Sequence, residues 1–234
     1  MKSPTEPKVD NRQARSEATQ QALMRAAEKL IAQRGIENVT TRDILTEAGQ
    51  RNTSALQYHF KSFPGLVKAL RKTRNAQIKW RRAALVQEAL ARRAEPPLRE
   101  VCKLMVAPAF QLARADAGFR RYIKAFGHEI TLAEESALAV AAGQGDADTR
   151  QIGTLLRKAL PHLSTEAFAR RLDGALRLIS ASMVHQAHQK QAFAGAEADL
   201  FFSSLIDAVV GLLSAPESEE SRSLRESLST RKHA

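Results

Sequence analysis

Cysteine, aromatic residues and long apolar runs are all scarce in this sequence. Cys102 is the only cysteine, so the chain has no internal disulfide framework and no cysteine spacing typical of a zinc finger. No stretch approaches the roughly 20 apolar residues that a membrane-spanning helix needs. The opening residues MKSPTEP lack the apolar core of a secretory signal. We therefore expect a cytoplasmic protein with no membrane partner.

Aromatic residues make up 5% of the chain, whereas apolar residues together make up 44%, with alanine and leucine prominent. This balance favours helix over strand, because alanine and leucine are good helix formers and aromatic residues are enriched in strands. No segment has the regular alternation of a half-buried strand. A chain of 234 residues is long enough for one large domain or two ordinary ones. We predict an all-α fold.

Positive charge is concentrated in the first third of the chain. The net charge is +11, and residues 1–82 hold 17 Lys and Arg against 7 Asp and Glu. Residues 83–234 hold 19 against 18. A basic segment on a nearly neutral body is typical of a module that binds a polyanion, because neutralised phosphates supply most nonspecific affinity. A solubilising surface or a contact with an acidic membrane would have the same charge pattern.

The apolar periodicity divides the chain into a small head and a larger body. We expect a disordered basic arm over residues 1–14, and a three-helix head over 15–62. A helical body that binds an effector and forms a dimer would follow over 63–214. The Ser-, Glu- and Arg-rich residues 215–234 are predicted to be a disordered tail.

Three helices are predicted in the head. The first runs from about Ser16 to Arg34, with apolar residues at i, i+3 and i+4 spacing on one face. The second begins after Thr40, which can cap it together with Asp43 in a variant of the capping box. The third covers about 53–60. Two short helices separated by a turn that contains a glycine are typical of the helix-turn-helix motif of DNA-binding proteins.

The body is predicted to begin with a long helix. This helix starts after Ser62, has Pro64 in its first turn and extends to about Arg93. The further helical segments are placed at 97–115, with a kink at Pro108, and at 117–136, 147–160, 164–190 and 197–214.

The third helix has the two faces that a recognition helix needs. Its apolar face, Leu56 and Phe60, is expected to pack on Ile44 and Leu45 of the second helix. Its polar face carries four residues at i, i+3, i+4 and i+7: Ser54, Gln57, Tyr58 and Lys61. Such a face can enter the major groove of DNA. A solvated surface helix is the alternative interpretation.

Roles follow from side-chain chemistry. Ser54 and Gln57 are predicted to contact base edges, since a glutamine amide can form paired hydrogen bonds to adenine. Arg51 and Asn52, in the turn, could reach a base or a phosphate. The predicted phosphate contacts are Tyr58, His59, Lys61 and Arg42. Thr53 completes the predicted DNA-binding set.

An ordered series of short motifs spans residues 15–70. The motifs are Ala26-Ala27-Glu28-Lys29-Leu30, Gly35, Val39-Thr40-Thr41-Arg42-Asp43-Ile44, Ala48-Gly49, Tyr58-His59-Phe60 and Leu66. In this order and spacing they resemble the TetR/AcrR family of bacterial repressors. The resemblance implies an all-helical homodimer that binds a palindromic double-stranded DNA operator. It also implies release when a small-molecule effector enters the carboxy-terminal domain.

The sequence departs from the common family pattern in two places. The turn between Gly49 and His59 is one residue longer, which leaves the register of the base contacts open by one position. Phe63 and Pro64 stand where a Lys or Arg usually follows the serine that caps the fourth helix, so a customary phosphate contact is lost. Lys61 or Lys68 could substitute for it.

The body offers weaker signals. His185 and His188, with His128 or Glu129, have the chemistry of metal ligands, but surface or interface histidines are the preferred interpretation. An apolar pocket with a few polar groups could hold an effector. Its candidate wall residues, each of which could equally be plain core, are Trp80, Met105, Phe110, Phe126, His128, Ile130, Met183 and Phe193.

No motif for catalysis or for a cofactor is found, so we expect neither a catalytic residue nor a cofactor nor a bound metal. Segments 164–190 and 197–214 are predicted to form a twofold four-helix interface between subunits. Its predicted apolar residues are Phe168, Leu172, Leu176, Ile179, Met183, Phe201, Leu205, Ile206, Val209 and Leu212. The competing functions are a helical enzyme that acts on an anionic substrate and an architectural DNA-binding protein without an effector.

Overall fold

The computed structural model describes residues 11–52, 54–132, 136 and 147–232, and the regular structure in these ranges is helical. In chain order the helices are α1 (Asn11–Arg34), a 3-10 turn (Ile36–Asn38), α2 (Thr41–Glu47), α3 (Ala55–Phe60), α4 (Phe63–Arg92), α5 (Leu98–Ala115), α6 (Ala117–Phe126), α7 (Glu129–Leu132), α8 (Ala147–Ala159), α9 (Thr165–Ala187), α10 (Gly195–Ser214) and α11 (Glu219–Lys232). No strand occurs in the described ranges. The prediction of an all-α fold is confirmed.

Two helices of the head begin at the caps predicted from the sequence. Thr40 Oγ1 accepts a hydrogen bond from the Asp43 amide at 3.2 Å, and Asp43 Oδ2 accepts one from the Thr40 amide at 2.9 Å. This reciprocal pair is a capping box. Ser62 Oγ accepts from the Gly65 amide at 3.1 Å, and Pro64 lies in the first turn of α4.

Two segments predicted to be disordered contain helix. α1 begins at Asn11, inside the predicted arm, while residues 1–10 lie outside the described residues. The tail contains α11, which has Glu219 and Glu220 in its first turn, where negative charge complements the helix dipole. Arg225 of α11 pairs with Glu217 just before the helix at 3.3 Å. Local charge pairing of this kind favours helix in the tail, and a count of apolar residues does not register it.

The segment predicted as one helix over 117–136 is divided. α6 ends at Phe126 with Gly127 as its cap, and the short α7 follows from Glu129. Residues 133–135 of the predicted helix lie outside the described residues.

The head core joins α1 to α4 through apolar side chains with almost no exposed area. Leu23, Ile44, Leu56 and Leu66, one from each helix in turn, are at its centre. Ala125 and Phe126 from the end of α6 belong to the same cluster. The head is therefore packed against the body by α6 as well as being connected to it by α4.

The body core is formed by the second half of α4 with α5, α6, α8, α9 and α10. Phe119, Leu156, Phe193 and Ile206 are among its largest fully buried side chains. Half of the apolar residues predicted for a subunit interface belong to this core instead, because they face the other helices of the same chain. These residues are Leu172, Met183, Leu205, Ile206 and Val209.

α4 belongs to both cores. Leu66 and Leu70 in its first turns pack in the head, whereas Leu85 and Val86 pack in the body. The predicted boundary between residues 62 and 63 therefore precedes the first two turns of α4, although these turns pack in the head core.

Within the described residues, no single helix is long and apolar enough to cross a membrane. By length and composition alone, α10 and the start of α11 would pass as a pair, but they are bent by 59° at the break between them.

Candidate nucleic-acid interface

The turn between α2 and α3 is built on Gly49. Its backbone is left-handed, with φ of 66°, a conformation that glycine adopts without steric cost. The Gln50 amide donates to the Leu45 carbonyl at 2.9 Å and the Gly49 amide donates to the Thr46 carbonyl at 3.1 Å. These two bonds form a Schellman motif, which ends α2 and redirects the chain toward α3.

α3 is anchored through its apolar side. Ala55 and Leu56 are buried, and Phe60 packs against the same cluster, which includes Ile44 and Leu45 of α2. This confirms the predicted packing of the third helix on the second. The anchoring leaves the opposite side of α3 turned toward solvent.

The solvent side carries the residues predicted to contact bases. Ser54, which precedes α3 in helical backbone geometry, and Gln57 are exposed, and Tyr58 is 69% exposed. Arg42 on α2 and Arg51 in the turn are exposed as well. A hydroxyl, an amide, a phenol and two guanidinium groups therefore lie on the solvent side of α2, the turn and α3. Thr53 lies outside the described residues.

Asn52 has a structural bond at the start of α3. Its Oδ1 accepts a hydrogen bond from the Ser54 amide at 2.9 Å, as in an Asx turn. The helix begins at Ala55, two residues after the predicted start.

His59 points toward α1. The ring is half-buried, its Nδ1 lies 3.4 Å from Gln20 Nε2 of α1, and it meets Tyr58 edge to face at a centroid distance of 4.9 Å. This position ties α3 to α1, a role that the prediction of a phosphate contact did not include.

Lys61 ends α3 outside helical geometry. Its φ of 67° places it in the left-handed region, which is uncommon for a residue with a Cβ. The side chain is exposed, but it does not continue the helical i, i+7 row predicted from Ser54. That row assumed helical backbone through residue 61, and the turn into α4 prevents it.

Sequence reasoning missed a glycine that sets the angle between α3 and α4. A Cβ added to Gly65 would lie 2.0 Å from the carbonyl oxygen of Phe60. Only glycine permits this approach, so Gly65 helps to fix how α3 is presented. The sequence signal that could have indicated this close approach is a glycine three residues after the Ser62 cap.

Sequence reasoning also missed a buried carboxylate on α1. Glu28 is 1% exposed, and Arg74 of α4 donates to its Oε2 through Nε at 2.8 Å and through Nη2 at 2.6 Å. Burial raises the pKa of Glu28, and the attraction of Arg74 opposes that rise. The signal was a glutamate beside the apolar face of α1.

The residues predicted to line an effector pocket are dispersed between solvent and the two cores and do not surround one cavity. Trp80 is 71% exposed and His128 is exposed, so neither lines an interior cavity. Phe126 is buried in the head core. Four others belong to the body core or pack against it: Met105, Phe110, Met183 and Phe193. The Phe110 ring is stacked on Phe202 at a centroid distance of 4.4 Å. The side chain of Ile130 lies outside the described residues. Aromatic and Met residues at helical spacing filled the core, as they commonly do.

Two surface clefts lie beside the head. One, of about 390 Å³, is lined by the 3-10 turn and the start of α4, from Ile36 to Arg71. The other, of about 340 Å³, lies where α1, α2 and α6 meet and includes Arg25, Lys29 and Arg121. Neither is lined by a predicted effector residue.

The candidate metal-ligating histidines are exposed. His185 Nε2 lies 3.2 Å from Gln189 Nε2, and His188 caps α9. Within the described residues, no three His, Cys, Asp or Glu side chains are grouped closely enough to hold a metal ion.

Comparison with known families and structures bears on these features. The model of the bacterial regulatory proteins of the tetR family matches residues 23–70, and that of the tetracyclin repressor-like carboxy-terminal domain matches residues 103–215. A candidate transcriptional regulator from Streptomyces coelicolor A3(2) is 19% identical, with a TM-score of 0.42 over 85% of this chain and 99% of that chain. No curated protein sequence matches this chain.

A helix-turn-helix head with an exposed polar helix, joined to an all-helical body, defines a DNA-binding transcriptional regulator. The chain belongs to the tetR family of bacterial regulatory proteins, which the two family models indicate for the head and the body in turn.

Proposed function

We propose that this chain is a homodimeric repressor whose two heads bind the two half-sites of a palindromic operator. The observation that carries the proposal is the solvent side of α3, where Ser54, Gln57 and Tyr58 project from a helix anchored by Leu56. A helix held in this way can lie in the major groove with its polar side facing the base edges.

Contacts with the DNA backbone would come from the residues around α3. Arg42, Arg51 and Lys61 are exposed at its flanks, and Lys68 is exposed on α4, which begins with an uncharged Phe63-Pro64 pair. Cations in these positions neutralise phosphates and orient the head, but they do not read sequence. Ser54 and Gln57 are the proposed base contacts.

Dimerisation is proposed through the outer faces of α9 and α10. The two helices pack on each other, and their half-buried apolar residues include Leu176, Ile179 and Leu212. Leu200 on α10 is 62% exposed, and a Cβ on Gly211 would meet open space. An apolar face with a small residue suits close packing of a second copy about a twofold axis.

Effector release is proposed to act through α4. Because this helix packs in both cores, a ligand that moves its body end would also move the head. A change in head position alters the separation of the two recognition helices, which must match successive major grooves.

Selection of bound DNA from a random pool tests the repressor proposal. We expect an enriched palindrome with half-sites one helical turn apart, and binding in a gel shift that weakens when salt is raised to about 0.3 M. Enrichment of no sequence, or binding unaffected by salt, would contradict the proposal.

An architectural DNA-binding protein without an effector is the second candidate function. It is favoured by the dispersal of the predicted pocket residues between solvent, the head core and the body core. A screen of small molecules by thermal shift, followed by gel shift with each hit, separates the two candidates. A ligand that both stabilises the chain and releases the selected DNA would exclude the second.

A further inference from the structure

Four charged residues from three helices meet where the head joins the body. We call Glu28 of α1, Arg74 of α4, and Asp116 and Arg121 at α6 the junction cluster. Its partners are far apart in the sequence, since Arg74 is 46 residues from Glu28 and 42 from Asp116. The cluster therefore exists only because the head and the body are folded together.

Arg74 is the centre of the junction cluster. Its Nε and Nη2 donate to Glu28 Oε2 at 2.8 and 2.6 Å, and its Nη1 donates to Asp116 Oδ2 at 2.8 Å. One planar guanidinium thus holds α1 and the start of α6 on α4, and its three nitrogens are engaged at once. A lysine ammonium in that place would lack the planar fork that meets these carboxylates together.

Asp116 couples the ion pair to the geometry of α6. Its Oδ1 accepts from the Gly118 amide at 2.7 Å as the cap of α6, while its Oδ2 accepts from Arg74. Burial alone would raise the pKa of Asp116, but the hydrogen bonds from Arg74 and from Gly118 outweigh it and lower the pKa. The carboxylate is therefore charged at neutral pH, and the first turn of α6 is aligned with Arg74.

Gly118 allows α6 to approach this closely. A Cβ at that position would lie 2.5 Å from Arg74 Nη2 and 3.0 Å from Glu28 Oε1. Arg74 also lies over the Phe119 ring at 5.6 Å from its centroid. The cluster leaves no room for a side chain between α6 and the Glu28–Arg74 pair, so α6 packs directly against that pair.

We propose that Arg74 is a positioning residue for DNA binding, which holds α1 and α6 on α4 and so sets the orientation of the head on the body. Buried ion pairs contribute little net stability, and in some proteins they specify one arrangement among several, which suits this role. The DNA-binding part of the inference rests on the proposed repressor function. The orientation part does not.

Two substitutions loosen the junction cluster while keeping both charges of the buried Glu28–Arg74 pair. Asp116→Ser keeps an N-capping side chain but is too short to reach Arg74. Gly118→Ala improves helix propensity but displaces the Arg74 guanidinium. The matched control is Glu95→Ser, which removes the exposed Glu95–Lys158 ion pair within the body, where N–O is 3.4 Å. Circular dichroism melts confirm that each variant is folded at the measuring temperature.

The first measurement is the distance between head and body within one chain. Spin labels are placed at Glu37→Cys in the 3-10 turn and at Gln151→Cys in α8, both exposed sites, and labelled chain is diluted with unlabelled chain. Cys102 does not interfere, because it is fully buried and burial raises its pKa to about 12. We expect one narrow distribution in the parent and in Glu95→Ser, and a broadened or second distribution in both junction variants. Unchanged distributions in both junction variants would overturn the proposal.

The second measurement is affinity for the selected palindrome and for random DNA. We expect the junction variants to lose about tenfold in specific affinity, since coupling residues remote from a ligand have effects of this size. Affinity for random DNA should change less than about twofold, because the phosphate contacts of each head are intact. Equal losses on both DNAs would overturn the positioning role. If the parent chain itself selects no DNA, the repressor function fails, and the distance measurement still decides the orientation role.

Discussion

Lys61 combines a positive charge with a left-handed backbone at the end of α3. A non-glycine residue in a sparsely populated backbone region costs about 1–3 kcal/mol, and such strain is common at functional sites. Here the charge lies beside the proposed DNA surface, so we propose that the residue trades stability for a phosphate contact.

Replacing Lys61 separates the two effects. We expect Lys61→Gly to raise the free energy of unfolding by about 1 kcal/mol through relief of the left-handed backbone, and to weaken DNA binding. Lys61→Ala should weaken DNA binding similarly without raising stability. Urea unfolding and salt-dependent gel shifts measure both quantities. A Lys61→Gly variant no more stable than Lys61→Ala would show that the backbone is not strained.

Asp43 makes the stability of the capping box at the start of α2 depend on pH. Hydrogen bonds from the Thr40 side chain and backbone hold the pKa of Asp43 below its ordinary value of 3.8. Because the folded-state pKa is the lower one, its contribution to stability is present above the ordinary value and is lost as pH falls through the lowered value.

The comparison with Asp43→Asn tests that dependence. We expect the parent to be more stable than the variant near neutral pH, and the difference to shrink as the pH falls below the ordinary pKa of aspartate. Urea unfolding at several pH values provides the measurement. A stability difference that is constant across this range would mean that the charge of Asp43 has no part in the capping box.

At the scale of the element, α3 is a six-residue helix that could not be stable alone, since short isolated helices are marginal in water. Its stability comes from Leu56 and Phe60, which pack against α2. The close approach of Gly65 in α4 to the Phe60 carbonyl at the end of α3 supports it further. This rigid support suits the proposed role of α3, in which a few exposed side chains meet base edges in a fixed register.

Gln57→Ala tests the register of α3 on DNA. We expect a loss of about 1–3 kcal/mol that is confined to one base position of each half-site, because a glutamine amide reads a base edge. Binding to a panel of single-base variants of the selected site provides the measurement, with exposed Gln21→Ala on α1 as the control. A uniform loss on every sequence would identify Gln57 as a backbone contact and shift the register by one residue.

At the scale of the whole molecule, two cores share one long helix. α4 crosses from the head core at Leu66 to the body core at Val86, and α6 returns from the body to the head at Phe126. Head and body are thus joined by two helices and by the junction cluster between them. A displacement in the body has a continuous packed route to α3.

A charged side chain on α10 tests the proposed dimer interface. Gly211→Arg on α10 adds a long charged side chain where this chain alone leaves open space, so we expect a stable monomer that binds the palindrome weakly. Gly153→Arg on α8 is the control, since a Cβ there also meets open space but lies off the α9–α10 face. Light scattering after gel filtration gives the mass. A dimeric Gly211→Arg protein would place the interface elsewhere.

Much of the fold, and the packing of the helix that carries the proposed DNA-binding face, was determined by the sequence alone. The caps at Thr40 and Ser62, the glycine-containing turn after α2 and the anchoring side of α3 were all predicted correctly. Each of these features depends on residues within one or two helical turns, so the local sequence is enough to determine it. Net charge and motif order then indicated the class of protein.

Only the tertiary structure decided how those elements are used. It turned His59 toward Gln20, ended the polar row at Lys61 and assigned Phe126 to the head. It also paired Arg74 with both Glu28 and Asp116. These outcomes depend on the angles at which distant helices pack, and periodicity along the chain contains no information about such angles. A helix period identifies a buried face, but packing chooses its partner. The predicted effector residues did not line one pocket for the same reason: Trp80 and His128 face solvent, Phe126 packs in the head core, and others pack in the body core.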